Sequence, residues 1–131
     1  MPFIDIGILM KPHILVVDDE EPIRSLLADF FRKHGYNVST SATADEARNI
    51  IETQSVNLVI LDIALSDEDG LEILGWIKSY FSSLPVIMLT GMGFDDELLQ
   101  EALKKGASGY VSKTLPLNQL LMEVHRILKS A

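Results

Sequence analysis

Residues 13–20 read HILVVDDE, and this stretch decides the fold class. The run HILVV has no alternating polar positions and ends directly in acids. Such a run is typical of a strand buried on both faces, as strands are in a parallel sheet covered by helices. The acids then lie at the carboxyl end of that strand. The stretch therefore predicts an α/β fold and makes the residue after each strand a candidate for chemistry.

Four further short apolar segments predict four more strands, at residues 36–40, 57–61, 85–89 and 109–111. Helical patterns separate them. One begins at Pro22 and one at Thr43, two span residues 71–80 and 95–105, and the last begins at Pro116. Five strands that alternate with five helices imply a doubly wound, five-stranded parallel sheet of flavodoxin-like architecture.

The spacing of apolar residues predicts the buried side of each helix. Gly35 and Gly106 are predicted to end the first and fourth helices, Thr43 and Glu46 form a capping box, and Trp76 is a partly exposed packing residue. The predicted stripes are Ile23, Leu26, Leu27, Phe30 and Phe31; Ala44, Ala47, Ile50 and Ile51; Leu71, Leu74 and Ile77; and Leu117, Leu120, Leu121, Val124 and Leu128.

Composition limits the classes of function. The chain has 131 residues, with 19 acidic against 11 basic side chains and a net charge of −8. Such a surface is repelled by phosphate backbones, so we expect no direct binding to nucleic acid. The absence of cysteine excludes disulfides and thiolate metal sites and fits a cytoplasmic location. No apolar run approaches the roughly 18 residues of a membrane helix, so no membrane association is expected.

The first ten residues are apolar but lack the features of a signal peptide. We interpret residues 1–10 as an N-terminal extension, native or not, and residues 11–131 as one domain. No linker or second domain is recognisable. The sequence leaves open whether the chain stands alone or is a fragment of a larger protein.

Chemically useful side chains stand at the predicted strand ends. Asp18 and Asp19 follow the first strand, Asp62 the third and Thr90 the fourth, and Lys113 lies two residues past the fifth. Because the carboxyl ends of parallel strands meet at one edge, we expect these side chains to converge. Three neighbouring carboxylates need a cation, and oxygen ligands favour Mg²⁺. With a lysine and a hydroxyl they predict a phosphoryl-transfer site whose nucleophile is Asp62.

Each of these residues also has an ordinary structural interpretation. Asp18 and Asp19 fit a helix N-terminus, Thr90 fits a loop, and Lys113 fits a solvated surface. Asp62 is harder to explain in this way because it directly follows a buried run. Five coincidences at one edge favour the functional interpretation.

The sequence resembles the response regulator receiver family of two-component systems from about residue 11 to residue 129. The matching pieces are ILVVDDE at residues 14–20, LVILD at 58–62, DGLEIL at 69–74, PVIMLT at 85–90 and GASGYVSK at 106–113. No single piece is decisive, but together they are highly specific.

The resemblance implies roles for individual residues. Asp19, Asp62 and the backbone carbonyl of Ala64 would bind Mg²⁺, with Asp18 helping through water, and Thr90 and Tyr110 would form a switch pair. The donor would be a phosphohistidine on a sensor histidine kinase or a phosphotransfer protein. The face formed by the fourth helix, fifth strand and fifth helix would then change its contacts with a downstream effector, or form a dimer. No external substrate would be turned over, so the domain is not an enzyme in the usual sense.

The chain departs from the family pattern in three places. Leu65-Ser66 replaces a frequent Met-Pro, which predicts a more mobile loop. Thr114 replaces the usual proline after Lys113, which predicts a trans peptide. Ala64 and Met92 flank the path of an attacking water without a group to orient it, which predicts slow self-dephosphorylation.

Three other functional classes are alternatives to a receiver domain. A phosphatase of the haloacid dehalogenase type needs an acid two residues after its nucleophile, where this chain has Ala64. A nucleotide-binding module needs a glycine-rich phosphate loop, and none is present. A pseudo-receiver that keeps the fold without phosphorylation stays open because of the altered loops.

Overall fold

The computed structural model describes residues 11–91 and 95–130, which contain five strands that alternate with five helices. The strands are β1 (His13–Val17), β2 (Asn37–Ser41), β3 (Leu58–Asp62), β4 (Val86–Thr90) and β5 (Gly109–Ser112). The helices are α1 (Glu21–Lys33), α2 (Ala44–Thr53), α3 (Gly70–Tyr80), α4 (Asp96–Lys104) and α5 (Leu117–Ser130).

The five strands form one parallel sheet in the order β2-β1-β3-β4-β5. The chain therefore reverses its direction of travel across the sheet after β2, and β3 lies at the centre. Asp62 is the register partner of Leu89 on β4, and Thr90 is the register partner of Ser112 on β5. The predicted doubly wound architecture is confirmed, and the sheet order places the end of β3 beside the ends of β1 and β4.

Two apolar cores lie on the two faces of the sheet. One packs α2, α3 and Ala102 of α4 against β1, β3 and β4 side chains such as Val17, Leu61 and Met88. The other packs α1 and α5 against the alternate positions, such as Val16 and Ile60. Since successive residues of a strand face opposite sides, continuous apolar runs are what this arrangement requires.

Most of the predicted buried sides of the helices are confirmed, but the predicted burial of Leu26 is wrong. Its side chain is 50% exposed, whereas Leu27, Ala28 and Phe31 are buried. The stripe of α1 is thus narrower than predicted and is centred on the positions that contact the sheet. In α5 the buried set also includes Ile127, which the predicted stripe omitted.

The strand bounds differ from the predicted ones by about one residue. Strand β2 runs from Asn37 to Ser41 instead of 36–40, because Tyr36 turns into the core and packs edge-on against Phe31 with ring centroids 5.8 Å apart. Asp62 and Thr90 are the last residues inside β3 and β4, not residues that follow them. Both are fixed by ladder hydrogen bonding and are therefore rigidly placed.

Helix ends follow the predicted signals. Thr43 Oγ1 accepts the Glu46 backbone N–H at 3.2 Å, while Gly35 and Gly106 adopt positive φ of 92° and 102° just beyond α1 and α4. No helix in the described part of the chain is long and apolar enough to cross a membrane. The extension predicted at residues 1–10 lies outside the described residues.

Candidate functional site

The predicted side chains converge at the carboxyl edge of the sheet around the ammonium of Lys113. Its Nζ lies 3.0 Å from Asp18 Oδ2, 3.0 Å from Glu20 Oε1 and 3.2 Å from Asp62 Oδ2. These contacts join residues from the end of β1, the end of β3 and the loop after β5. The convergence predicted from strand topology is confirmed for these groups, and Glu20 joins them unpredicted.

Asp18 is fully buried. Its Oδ1 accepts the Glu20 backbone N–H at 2.8 Å, and its Oδ2 contacts Lys113 as an ion pair outside hydrogen-bonding geometry. Burial raises the pKa of this carboxyl, and the negative charge of Asp62 adds to that effect, while the Glu20 N–H and Lys113 oppose it. This buried oxygen makes no hydrogen bond, and the Lys113 ammonium is the cation that faces it.

Lys113 is held at both its backbone and its side chain. Its N–H donates to the Thr90 carbonyl at 2.8 Å, and its side chain is only 10% exposed. Burial disfavours the ammonium, but the contacts with the Glu20, Asp18 and Asp62 carboxylates outweigh it and raise the pKa of Lys113 above its usual value. The described residues contain no cis peptide bond, so the trans geometry predicted between Lys113 and Thr114 is confirmed.

An acidic group at the end of β1 offers hard oxygen donors. One carboxylate oxygen from each of Asp18, Asp19 and Glu20 lies within 4.8 Å of the others. Asp19 also accepts the Ser66 backbone N–H at 3.1 Å through Oδ2. Carboxylate oxygens, one of them buried without a donor, are the ligands that Mg²⁺ or a similar cation prefers. The donor set therefore fits a divalent cation. Asp62 is linked to this acidic group through Lys113, which contacts Asp18, Glu20 and Asp62.

The backbone after β3 fixes the Asp62 carboxylate and the position of Ala64. Asp62 Oδ1 accepts the Ala64 N–H at 3.0 Å, and Ala64 pairs with Asp69 in an isolated antiparallel bridge. Gly70 lies so close beneath this loop that a Cβ there would be 2.5 Å from the Asp62 carbonyl oxygen. In the sequence, Gly70 stands out only as part of the DGLEIL piece of the family resemblance, and the structure supplies the physical reason for a glycine.

The two residues of the predicted switch pair lie on neighbouring strands. Thr90 is buried at the end of β4. The Tyr110 ring on β5 packs against the core that contains Met88, and its hydroxyl is buried without a hydrogen-bond partner in the described part of the chain. Tyr110 thus already points inward. Met92, predicted to flank the attacking water, lies outside the described residues, whereas Ala64 is exposed at the site.

Comparison with known proteins decides the family. The sequence profile of the response regulator receiver domain matches residues 14–125. The chain belongs to the response regulator receiver domain family. This receiver domain is therefore a module of two-component signal transduction, as its strand-end motifs predicted.

Relatives and solved structures agree with this assignment. The receiver domain is 35% identical to TorR of Escherichia coli, a TorCAD operon transcriptional regulatory protein, over 91% of this chain and 51% of TorR. A CheY-like receiver domain protein from Methanospirillum hungatei is 30% identical, with 92% and 96% of the two chains covered and a TM-score of 0.88. The receiver domain of NtrX from Brucella abortus is 36% identical over 90% and 99%, with a TM-score of 0.85. The chain spans about half the length of the first curated relatives that it matches.

Proposed function

We propose that this receiver domain accepts a phosphoryl group on the Asp62 carboxylate with the help of Mg²⁺. The cation would be held by Asp19, Asp62 and the backbone carbonyl of Ala64, with Asp18 acting through water. The donor would be a phosphohistidine on a sensor histidine kinase or a phosphotransfer protein. The domain turns over no external substrate; it catalyses only its own phosphorylation and dephosphorylation.

One observation carries the proposal: Lys113 Nζ lies 3.2 Å from Asp62 Oδ2 at the end of the central strand. Asp62 is almost completely buried, so its carboxylate is poorly hydrated and fixed in direction. A nucleophile held beside a cationic side chain and an acidic, cation-binding group is the arrangement that phosphoryl transfer needs.

In the transfer, a carboxylate oxygen of Asp62 attacks phosphorus. The bond from phosphorus to the donor imidazole nitrogen breaks, and that nitrogen keeps the electron pair and takes up a proton. Lys113 and the Thr90 hydroxyl stabilise negative charge on the equatorial oxygens. The Ala64 N–H holds Asp62 Oδ1 in place. A Mg²⁺ held by the acidic residues would supply further positive charge to the transferring phosphoryl group.

The response to phosphorylation would use Thr90, Tyr110 and the face of α4, β5 and α5. Thr90 would move toward the phosphoryl group, and the inward position of Tyr110 would be stabilised behind it, biasing a two-state element. That face would then bind a downstream effector domain or protein, or a second copy of the domain. The net charge of −8 supports a protein partner over direct nucleic-acid binding, and we place the protein in the cytoplasm.

The test is intact mass after incubation with acetyl phosphate, with and without Mg²⁺, for the wild type and Asp62→Asn. We expect a gain of about 80 Da that requires Mg²⁺ and is absent in the variant, as an aspartyl phosphate demands. No adduct on the wild type, together with no binding of beryllofluoride, would overturn the proposal in favour of a pseudo-receiver.

A further inference from the structure

The loop between β3 and α3, residues 63–69, is tied to its surroundings at three consecutive residues. The Ser66 N–H donates to Asp19 Oδ2 at 3.1 Å. The next residue, Asp67, accepts the backbone N–H of Ala44 at the start of α2, at 3.0 Å through Oδ2. Glu68 forms a paired contact with Arg48, also on α2. Helix α2 therefore holds the far side of the loop that carries Ala64.

The contact between Arg48 and Glu68 has the geometry of a strong ion pair. Arg48 Nη1 donates to Glu68 Oε1 at 3.0 Å, and Nη2 donates to Oε2. The two side chains are only 24% and 27% exposed. The guanidinium also lies 5.5 Å from the centroid of the Trp76 ring on α3. A bidentate, partly buried pair with an aromatic beside the cation fixes the position of Glu68 far better than a solvated pair would.

The position of Glu68 is passed to Ala64 through one residue. Glu68 is followed by Asp69, which pairs with Ala64 in the antiparallel bridge. Asp69 also caps α3 by accepting the Leu71 N–H at 2.9 Å. Movement of Glu68 would therefore pull on the bridge that sets where the Ala64 carbonyl points.

We infer that Arg48 is a positioning residue for the metal site, acting through Glu68 on the Ala64 carbonyl. The inference rests on the function proposed above. The sequence explains why the loop would need this restraint. Ser66 stands where the family often has proline, so the ring that would stiffen the loop is absent. The free N–H of Ser66 binds Asp19 instead, and α2 supplies the remaining restraint. The structure thus restrains a loop that the sequence predicted to be more mobile.

Mg²⁺ affinity, measured by isothermal titration calorimetry on the full chain, tests the inference. The variants are Arg48→Met, Glu68→Gln and the double variant, and Glu68→Gln preserves the shape of the side chain. Arg126→Met is the matched control because Arg126 also makes a two-bond contact with a glutamate, Glu123 at 2.9 and 3.2 Å, but within α5. Thermal unfolding checks that each variant is folded.

We expect each single variant to raise the Kd for Mg²⁺ about tenfold, as loss of a partner that orients a metal ligand does, and the control to leave it unchanged. The double variant should be no worse than either single one, because both break the same contact. At saturating Mg²⁺ the rate of phosphorylation by acetyl phosphate should return to the wild-type value, since no reacting group has been removed. A general loss of structure would lower that rate as well.

Two results would overturn the inference. If wild type binds Mg²⁺ and both single variants bind it with a Kd within about twofold of the control, Arg48 does not position the site. If the effects of the two single changes add in the double variant, Arg48 and Glu68 act separately. A wild type that fails to bind Mg²⁺ at all would instead overturn the proposed function together with the inference.

Discussion

Substitution by alanine at two glycines of α3, Gly70 and Gly75, should change the free energy of unfolding in opposite directions. Gly70 begins the helix, and a Cβ there would lie 2.5 Å from the Asp62 carbonyl oxygen, 2.7 Å from Ile63 Cα and 2.9 Å from the Ile63 carbonyl oxygen. All three atoms belong to the backbone, so no side chain can rotate away and the loop after β3 must move. At Gly75, one and a half turns later, an added Cβ meets nothing within 4 Å.

These contacts give the expected magnitudes. Overpacking of this kind costs about 1–3 kcal/mol, and at the first turn helix propensity returns only a few tenths. Gly70→Ala should therefore destabilise the domain. Gly75→Ala should stabilise it by about 0.5–1 kcal/mol, because alanine loses less backbone entropy in a helix interior. The two variants should differ by about 1–4 kcal/mol in free energy of unfolding.

Urea unfolding followed by circular dichroism measures this difference. With a slope of roughly 2 kcal/mol per molar urea, the two midpoints should lie about 0.5–2 M apart, on either side of wild type. The rate of Asp62 phosphorylation by acetyl phosphate should fall in Gly70→Ala and not in Gly75→Ala. A Gly70→Ala variant as stable and as reactive as wild type would show that the loop is not held against α3, and would refute the reasoning.

Three further predictions concern the lifetime, the packing and the pH dependence of the domain. Aspartyl phosphate on the isolated domain in Mg²⁺ should persist for many minutes to hours, because Ala64 has no polar group to orient a water; a half-life of seconds would contradict this. In urea unfolding, Leu26→Gln should change stability by no more than about 0.5 kcal/mol, whereas Leu27→Ala should cost about 2–5 kcal/mol, since only Leu27 is buried; equal losses would disprove the packing of α1. Burial lowers the pKa of His13 in the folded protein from its ordinary value of 6.5. The unfolded chain therefore binds more protons than the folded protein as the pH falls below 6.5. The wild type should then lose stability relative to His13→Gln. That prediction fails if the stability difference between the two proteins is the same at pH 7.5 and pH 5.5.

Much of the fold could be predicted from sequence because its central strands are buried on both faces. Runs such as HILVV and NLVIL are typical of strands in a covered parallel sheet. The edge strand β2 carries no such run, and its sequence NVSTS does not show where Tyr36 leaves the ladder. The exposure of Leu26 depends on how α1 is rotated against the sheet, which apolar spacing alone does not specify.

The candidate site likewise has contacts that the sequence predicts and contacts that it does not. Topology brings the ends of parallel strands together, so the proximity of Asp18, Asp62 and Lys113 could be predicted from the sequence. Glu20 and the contact of Arg48 with Glu68 could not, because they depend on side-chain directions between elements distant in the chain. No motif or spacing in the sequence predicts such contacts. They follow from the packing of α2 beside the loop between β3 and α3.

The Lys113 ammonium meets Glu20 across 93 residues of chain, and this has a consequence for synthesis on the ribosome. The acids of β1 and β3 emerge early, while the lysine emerges only after β5. Until then, collapse of the nascent chain would bury Asp18 and Asp62 without the Lys113 ammonium, and burial of an unpaired carboxylate is strongly unfavourable. The burial of these acids beside Lys113 therefore depends on β5 being in place.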